Sequence, residues 1–329
     1  MPPSKPIRFY RRFTSYDYTR GASLFITVST SPRGRYFGEV REAQMCLSPF
    51  GEEVQDSLRK IPELNPGIRL FEHVVMPDHV HFNLRLEPGL HEPLQVLGAA
   101  IRGFKAYTTK LFHSLGNSST LWQQGYHDYL CLGTEIIDAF TRYIRMNPLK
   151  WEMQHNHPEF LHIREPLYSS RLDPSSFWRG IGNTALLDAE TKIVSARISR
   201  RCTAAEVAAA VERLSRAVDQ GFVIISDFIS GGEHALREML LNRPDSRFIV
   251  VLPNQLEYGY KPDSRFLEPI RQGRCLMIAK GNEEVAFGRT ACLDVNAEIK
   301  EIALSGAGYY GYWKHGETLL YCANDIRAS

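Results

Sequence analysis

The chain has 329 residues, of which 43% are apolar and 23% charged, with a formal net charge of +2. That length favours two domains, each large enough to bury a core, and the composition excludes a disordered or fibrous chain. No apolar run approaches the roughly 20 residues that a membrane helix needs, and the opening MPPSKPIRFYRRF lacks the apolar centre of a secretory signal. No membrane partner and a cytoplasmic location are therefore expected.

The lead itself is basic. In Arg8-Phe-Tyr-Arg-Arg12, aromatics alternate with cations, a composition that suits phosphate contact with base stacking but also an ordinary solvated surface. Ala22 to Ser31 then reads as a strand, and SPRGRYFGEV runs through a turn into another. Phe50 to Ile61 has helical periodicity, and Asn65-Pro-Gly67 is a turn leading into VVMPDHVHFNLRL. From His79 this stretch alternates strictly. Val80, Phe82, Leu84 and Leu86 are assigned to the core face, and His79, His81, Asn83 and Arg85 to an open polar face. Two imidazoles at i and i+2 of a strand can converge on one divalent metal, although isolated pairs of this kind are more often plain surface histidines.

The spacing next predicts an amphipathic helix from about Leu94 to Leu115, with Leu94, Leu97, Ile101, Phe104 and Leu111 as its apolar stripe and Arg102, Lys105 and Lys110 off it. A further helix is expected from Thr134 to Asn147, ended by Pro148. On it Tyr143 and Asn147, four apart, share one face beside the stripe Ile136, Ile137, Phe140 and Ile144. Tyr143 is a candidate nucleophile and Asn147 a candidate oxygen ligand; a boundary tyrosine and a helix-terminal cap are the plainer alternatives. Strands and helices mix here without strict alternation, which favours an α+β antiparallel sheet backed by helices. The proline-bearing stretch 161–180 is read as a linker between a domain at 1–160 and one at 181–329. In the latter, KIVSA, FVIIS, RFIVVLP and RCLMIA alternate with helices, the grammar of a parallel Rossmann-like sheet. Cys46, Cys131, Cys202, Cys275, Cys292 and Cys322 form no CxxC pair and read as reduced structural thiols.

VVMPDHVHFNL together with YIRMNPLKW resembles the His-hydrophobic-His strand and tyrosine helix of single-tyrosine HUH transposases of the REP-associated group. The resemblance extends in order through YDYTRGASLFITVSTSPRGRYFGEV, IRGFKAYTTK and LWQQGYHDYL, covering roughly residues 8 to 155. It implies a ferredoxin-like antiparallel sheet with helices, and single-stranded or hairpin DNA as partner. It also implies a divalent metal, Mg²⁺ or Mn²⁺, held by His79, His81 and Asn147, with Tyr143 as nucleophile. A phenol is only about one part in a thousand ionised at neutral pH, so it needs such help to attack a phosphodiester. The products would be a 5′-phosphotyrosine and a free 3′-OH. Arg8, Arg11, Arg12, Arg102 and Lys105 are the expected DNA-binding cations. A non-catalytic DNA-binding or regulatory derivative, or a HUH replication initiator or relaxase, stands as the alternative, and a homodimer is compatible with either.

Beyond residue 181, GNTALLDAETKIVSARISR, GFVIISDFISGGEHALREMLL and RFIVVLPNQLEYGYKP are similar to DNA-processing protein A and its Rossmann-like relatives, in a smaller α/β domain. That similarity implies a nucleotide or DNA phosphate at Ser230, Gly231 and Gly232, where a turn meets a helix start. Glu233, in the first turn, would compete for the same N–H groups, and a purely structural domain is the alternative.

Overall fold

The computed structural model describes residues 15–253, 256–257, 260–281 and 288–322. Two compact units result, Met1–Asn156 and His157–Ser329, so the second is the longer rather than the smaller one.

In the first unit, β1 (Ala22–Ser29) is followed by a hairpin of β2 (Gly38–Arg41) and β3 (Gln44–Leu47). Ser48 caps helix α1 (Pro49–Arg59) by accepting from the Gly51 N–H at 3.0 Å, with Pro49 pre-set for the first turn. Short α2 (Ile61–Leu64) leads into β4 (Ile68–Met76), β5 (His79–Leu86), α3 (Pro93–Ser114) and β6 (His127–Leu130). Four of these strands form one sheet in the order β4-β5-β1-β6, every neighbour antiparallel. Alternation along β1 and β5 sends Leu24, Ile26, Val28, Val80, Phe82 and Leu84 into a core shared with α1 and α3.

The opposite sheet face is not open. It is covered by α4 (Thr134–Arg145), whose Ile136, Ile137, Phe140, Tyr143 and Ile144 pack with Phe25, Val74 and Tyr129. The predicted single helix to Asn147 is also revised. Helix α4 stops at Arg145, and Pro148 does not end a helix but occupies the first turn of α5 (Asn147–His155), where its missing N–H goes unneeded.

The second unit is built on a seven-stranded sheet. Its strands are β7 (Trp178–Gly182), β8 (Ile193–Ile198), β9 (Val223–Ser226), β10 (Arg247–Leu252), β11 (Cys275–Lys280), β12 (Gly308–Lys314) and β13 (Glu317–Cys322). In the order β13-β12-β8-β9-β10-β11-β7 the five central strands run parallel and the two edges antiparallel. Helices α6 (Ala204–Asp219), α7 (Gly231–Leu241), α8 (Ser264–Arg271) and α9 (Arg289–Leu304) connect them. Every residue of β9 is buried, as expected of a strand with helices on both faces.

The stretch 161–180, read as a linker, belongs to this unit. Leu167, Leu172 and Trp178 lie in its core. Buried Arg171 donates to the carbonyls of Asp188, Ala189 and Ile302 at 3.1, 2.9 and 3.3 Å. Proline content misled because these prolines punctuate packed irregular backbone rather than a solvated tether. None of the six cysteines is in a disulfide.

Candidate functional site

The pleat of β5 places His79 and His81 side by side, with ring centroids 4.5 Å apart. Each Nδ1 is held from behind. His79 Nδ1 lies 2.5 Å from the carboxylate of Asp78, which Arg33 approaches at 3.5 Å. His81 Nδ1 lies 2.8 Å from the hydroxyl of Thr27, its register partner on β1. These bonds fix both rings and leave Nε2 as the nitrogen free to coordinate. His81 is also stacked on Phe25 at 5.1 Å. Burial, with the positive charges of His79 and Lys150 nearby, pushes its pKa well below the usual histidine value, so the ring is neutral, the form a metal ligand requires. Burial works to raise the Asp78 pKa, but the hydrogen bond with His79, reinforced by Arg33, outweighs it and holds the carboxyl below its ordinary value.

Helix α4 brings Tyr143 over this pair. Its ring lies 5.4 Å from His81 and edge-on to Phe25 at 5.8 Å, with the Lys150 ammonium 4.7 Å from its centroid. Asn147, at the first position of α5, is buried and its side-chain nitrogen has no hydrogen-bond partner. Turning an amide by half a revolution exchanges its two ends, so the same position can present an oxygen acceptor. Two imidazoles and an unsatisfied amide suit a divalent cation chemically. Among the described residues no group of three or more His, Cys, Asp and Glu is arranged to hold a metal, so the amide would be needed.

The expected DNA-binding cations are not brought together. Arg8, Arg11 and Arg12 lie outside the described residues. Arg102 and Lys105 are on α3, which packs against the sheet face opposite the histidines. Arg102 is exposed, but Lys105 is half-buried and donates to the carbonyls of Gln123 and Gly125 at 2.6 and 2.8 Å, which ties it to the loop before β6. Asp78, Thr27 and Lys150 were not singled out from the sequence. Asp78 carried a signal, a carboxyl adjoining the first histidine; Thr27 became visible only through strand pairing.

In the second unit, Ser230, Gly231 and Gly232 do form a turn and helix start, and the N–H groups of Ile229, Ser230 and Glu233 there are already engaged. The Glu233 carboxylate accepts from the backbone N–H groups of Ile198, Ile229 and Ser230 at 2.9, 3.1 and 2.9 Å. The Ser230 hydroxyl in turn accepts from the Glu233 N–H and donates to the Ile198 carbonyl. A β-carbon at Gly232 would stand 2.4 Å from Ile198, so that glycine serves close helix–strand packing. The neighbouring Asp227 has its pKa pushed up to about 8 by burial and by the Glu233 charge.

No family model matches the chain. An uncharacterized protein of Haemophilus influenzae is 26% identical over 158 residues, covering 43% of this chain and 88% of that protein. Among solved structures, the chain is similar to a REP-associated tyrosine transposase bound to a REP hairpin, with 22% identity, TM-score 0.33, and coverage of 43% of this chain and 73% of the other. It is also similar to DNA processing protein A from Helicobacter pylori, a structure of its single-stranded DNA binding mode, with 16% identity, TM-score 0.35, and coverage of 44% and 68%. DNA processing protein A from Streptococcus pneumoniae gives 20% identity, TM-score 0.33, and coverage of 49% and 59%. Both groups named by the sequence motifs thus recur among its structural neighbours, each over less than half of the chain.

Proposed function

We propose that the first unit nicks and transfers single-stranded DNA, using Tyr143 as nucleophile and a divalent metal held by His79, His81 and Asn147. The strand order β4-β5-β1-β6 with α1 and α3 on one face supports a ferredoxin-like βαββαβ reading, and the parallel core of the second unit supports a Rossmann-like one. The observation that carries the functional proposal is the convergence of Tyr143, on a helix, with His79 and His81, on a strand and more than sixty positions earlier, into adjoining ring contacts.

In the proposed reaction the Tyr143 oxygen loses its proton to solvent and bonds to phosphorus. The 3′-oxygen leaves and is protonated, so one phosphodiester is exchanged for another and its energy is kept for rejoining. Lys150, above the tyrosine ring, places positive charge where the phosphate and the phenolate would meet. Asp78 and Thr27 hold the two imidazoles in orientation. A bound Mg²⁺ or Mn²⁺ would neutralise phosphate charge and orient the phosphate for in-line attack.

One observation favours a non-catalytic DNA-binding protein instead: no third His, Cys, Asp or Glu joins the pair among the described residues. A single experiment separates the readings. Labelled single-stranded hairpin DNA incubated with the protein and Mn²⁺ should give a denaturation-resistant adduct, lost in Tyr143→Phe while DNA affinity stays within a few-fold. An adduct that survives in Tyr143→Phe would assign the nucleophile elsewhere, and DNA binding without any adduct would favour the non-catalytic protein.

A further inference from the structure

The second unit carries a groove of about 500 Å³ between α6 and the β12–β13 hairpin, within the range of roughly 300–1,000 Å³ typical of ligand sites. Its floor is Val194 and Trp313, both buried. Phe222 and Tyr309 form one wall, their rings 5.7 Å apart and inclined at 53°. Tyr309 is 46% exposed and Leu320, also in the lining, 38%, so the groove leaves apolar and aromatic surface open to water.

The charged residues that line it have one sign. Arg213 and Arg216 line the groove, and no carboxylate does. Arg216 is shared with Glu212 at 3.3 Å, and the nearby Asp219 is taken by Arg243. Arg213 has no ion pair among the described residues, and the Lys192 ammonium sits 5.9 Å from the Phe222 ring centre without a carboxylate partner among them. An apolar peptide or lipid would leave Arg213 unused, and an acidic peptide would leave the aromatic wall unused. A planar base joined to a phosphate uses both. Val194, Phe222 and Tyr309 stand at or beside the amino-terminal ends of β8, β9 and β12. The Glu233-filled turn follows the carboxyl end of β9, so the two places lie at opposite edges of the parallel sheet.

We infer that this groove seats a base-and-phosphate unit of single-stranded DNA, with the base against Tyr309 and Phe222 and the phosphate on Arg213. The inference rests on the reading of single-stranded DNA as the substrate and adds a second hold on that strand, separate from the chemistry at Tyr143.

The test uses the full chain and an oligodeoxythymidine about twenty nucleotides long carrying photoreactive bromodeoxyuridine. Irradiation should cross-link it to peptides holding Phe222, Tyr309 or Trp313. Tyr309→Ala should weaken its binding about tenfold, within the range for one stacked base. Arg213→Gln should make the dependence of log affinity on log salt shallower by about 0.7, one phosphate's worth on a single strand. Both variants should keep the Tyr143 adduct with a short hairpin, and because both side chains are exposed both should keep the parent melting temperature. Cross-links confined to the first unit, with unchanged affinities, would overturn the groove and leave the nicking proposal standing. Failure to bind any DNA and to form any adduct would overturn both. Displacement by free thymidine monophosphate at equal concentration would replace the strand with a free nucleotide. The cross-linking arm needs no substitution, so a variant that fails to fold does not blunt the test.

Discussion

His81 shows how far a residue's role depends on what covers it. An open polar face would tolerate truncation, but His81 is 6% exposed, stacked on Phe25 and bonded to Thr27. His81→Ala should therefore abolish Mn²⁺ binding and also cost about 2 kcal/mol of stability, through the cavity it opens and the partner it strands. Calorimetric titration and denaturant unfolding check the two halves; undiminished Mn²⁺ affinity would remove His81 from the ligand set. Asp78 makes a finer test, because it touches no substrate in this scheme and acts through His79. Asp78→Asn should weaken Mn²⁺ binding roughly 10- to 100-fold, the usual effect of loosening a ligand's outer partner. A change smaller than twofold would show that His79 is held well enough without it.

Helix α7 shows the same dependence for an element. Sequence reads its start as a glycine-bearing phosphate cradle, and the fold fills that cradle with Glu233. Glu233→Ala should cost about 3 kcal/mol, since the buried N–H groups of Ile198 and Ser230 lose their acceptor. Beside it, Asp227 is more basic folded than unfolded. An acid raised in this way binds more protons in the native state, so its contribution is full at pH values below the ordinary aspartate range and is lost as pH climbs through about 8. The parent protein should thus lose stability between pH 5 and 8 relative to Asp227→Asn, in which that component of the slope is absent. Parallel melting curves for parent and variant across this range would count against the assignment. On α3, Lys105→Ala should lower the melting temperature by freeing the carbonyls of Gln123 and Gly125, yet leave the salt dependence of DNA binding unaltered. A shallower salt slope in that variant would return Lys105 to the DNA surface.

At the scale of the molecule, two units with different sheets share one chain, and neither contains, among the described residues, a helix long and apolar enough to cross a membrane. If the strand runs over both the Tyr143 site and the α6 groove, a long oligonucleotide should bind more tightly than a hairpin that reaches only the first, and removal of Tyr309 should abolish that difference. Equal affinities for the two lengths in the parent protein would confine DNA to one unit.

The sequence by itself determined the periodicities. Strict alternation from His79 to Leu86 fixed which residues of β5 share a face, and unbroken apolar runs such as FVIIS fixed the buried strands of the second sheet. Both are local consequences of backbone geometry, legible without knowing what lies opposite. Tertiary structure decided everything that depends on a neighbour distant in sequence. It laid α4 over the histidine face, supplied Thr27 from β1 and Lys150 from α5, and set Arg102 and Lys105 on the far side of the sheet. It also drew residues 161–180 into a core through Arg171, and gave the N–H groups of Ile229 and Ser230, just before α7, to Glu233. A residue's type and spacing state what it can bond to; only the folded chain determines which partner reaches it first, because buried donors and acceptors take whatever satisfies them at least cost.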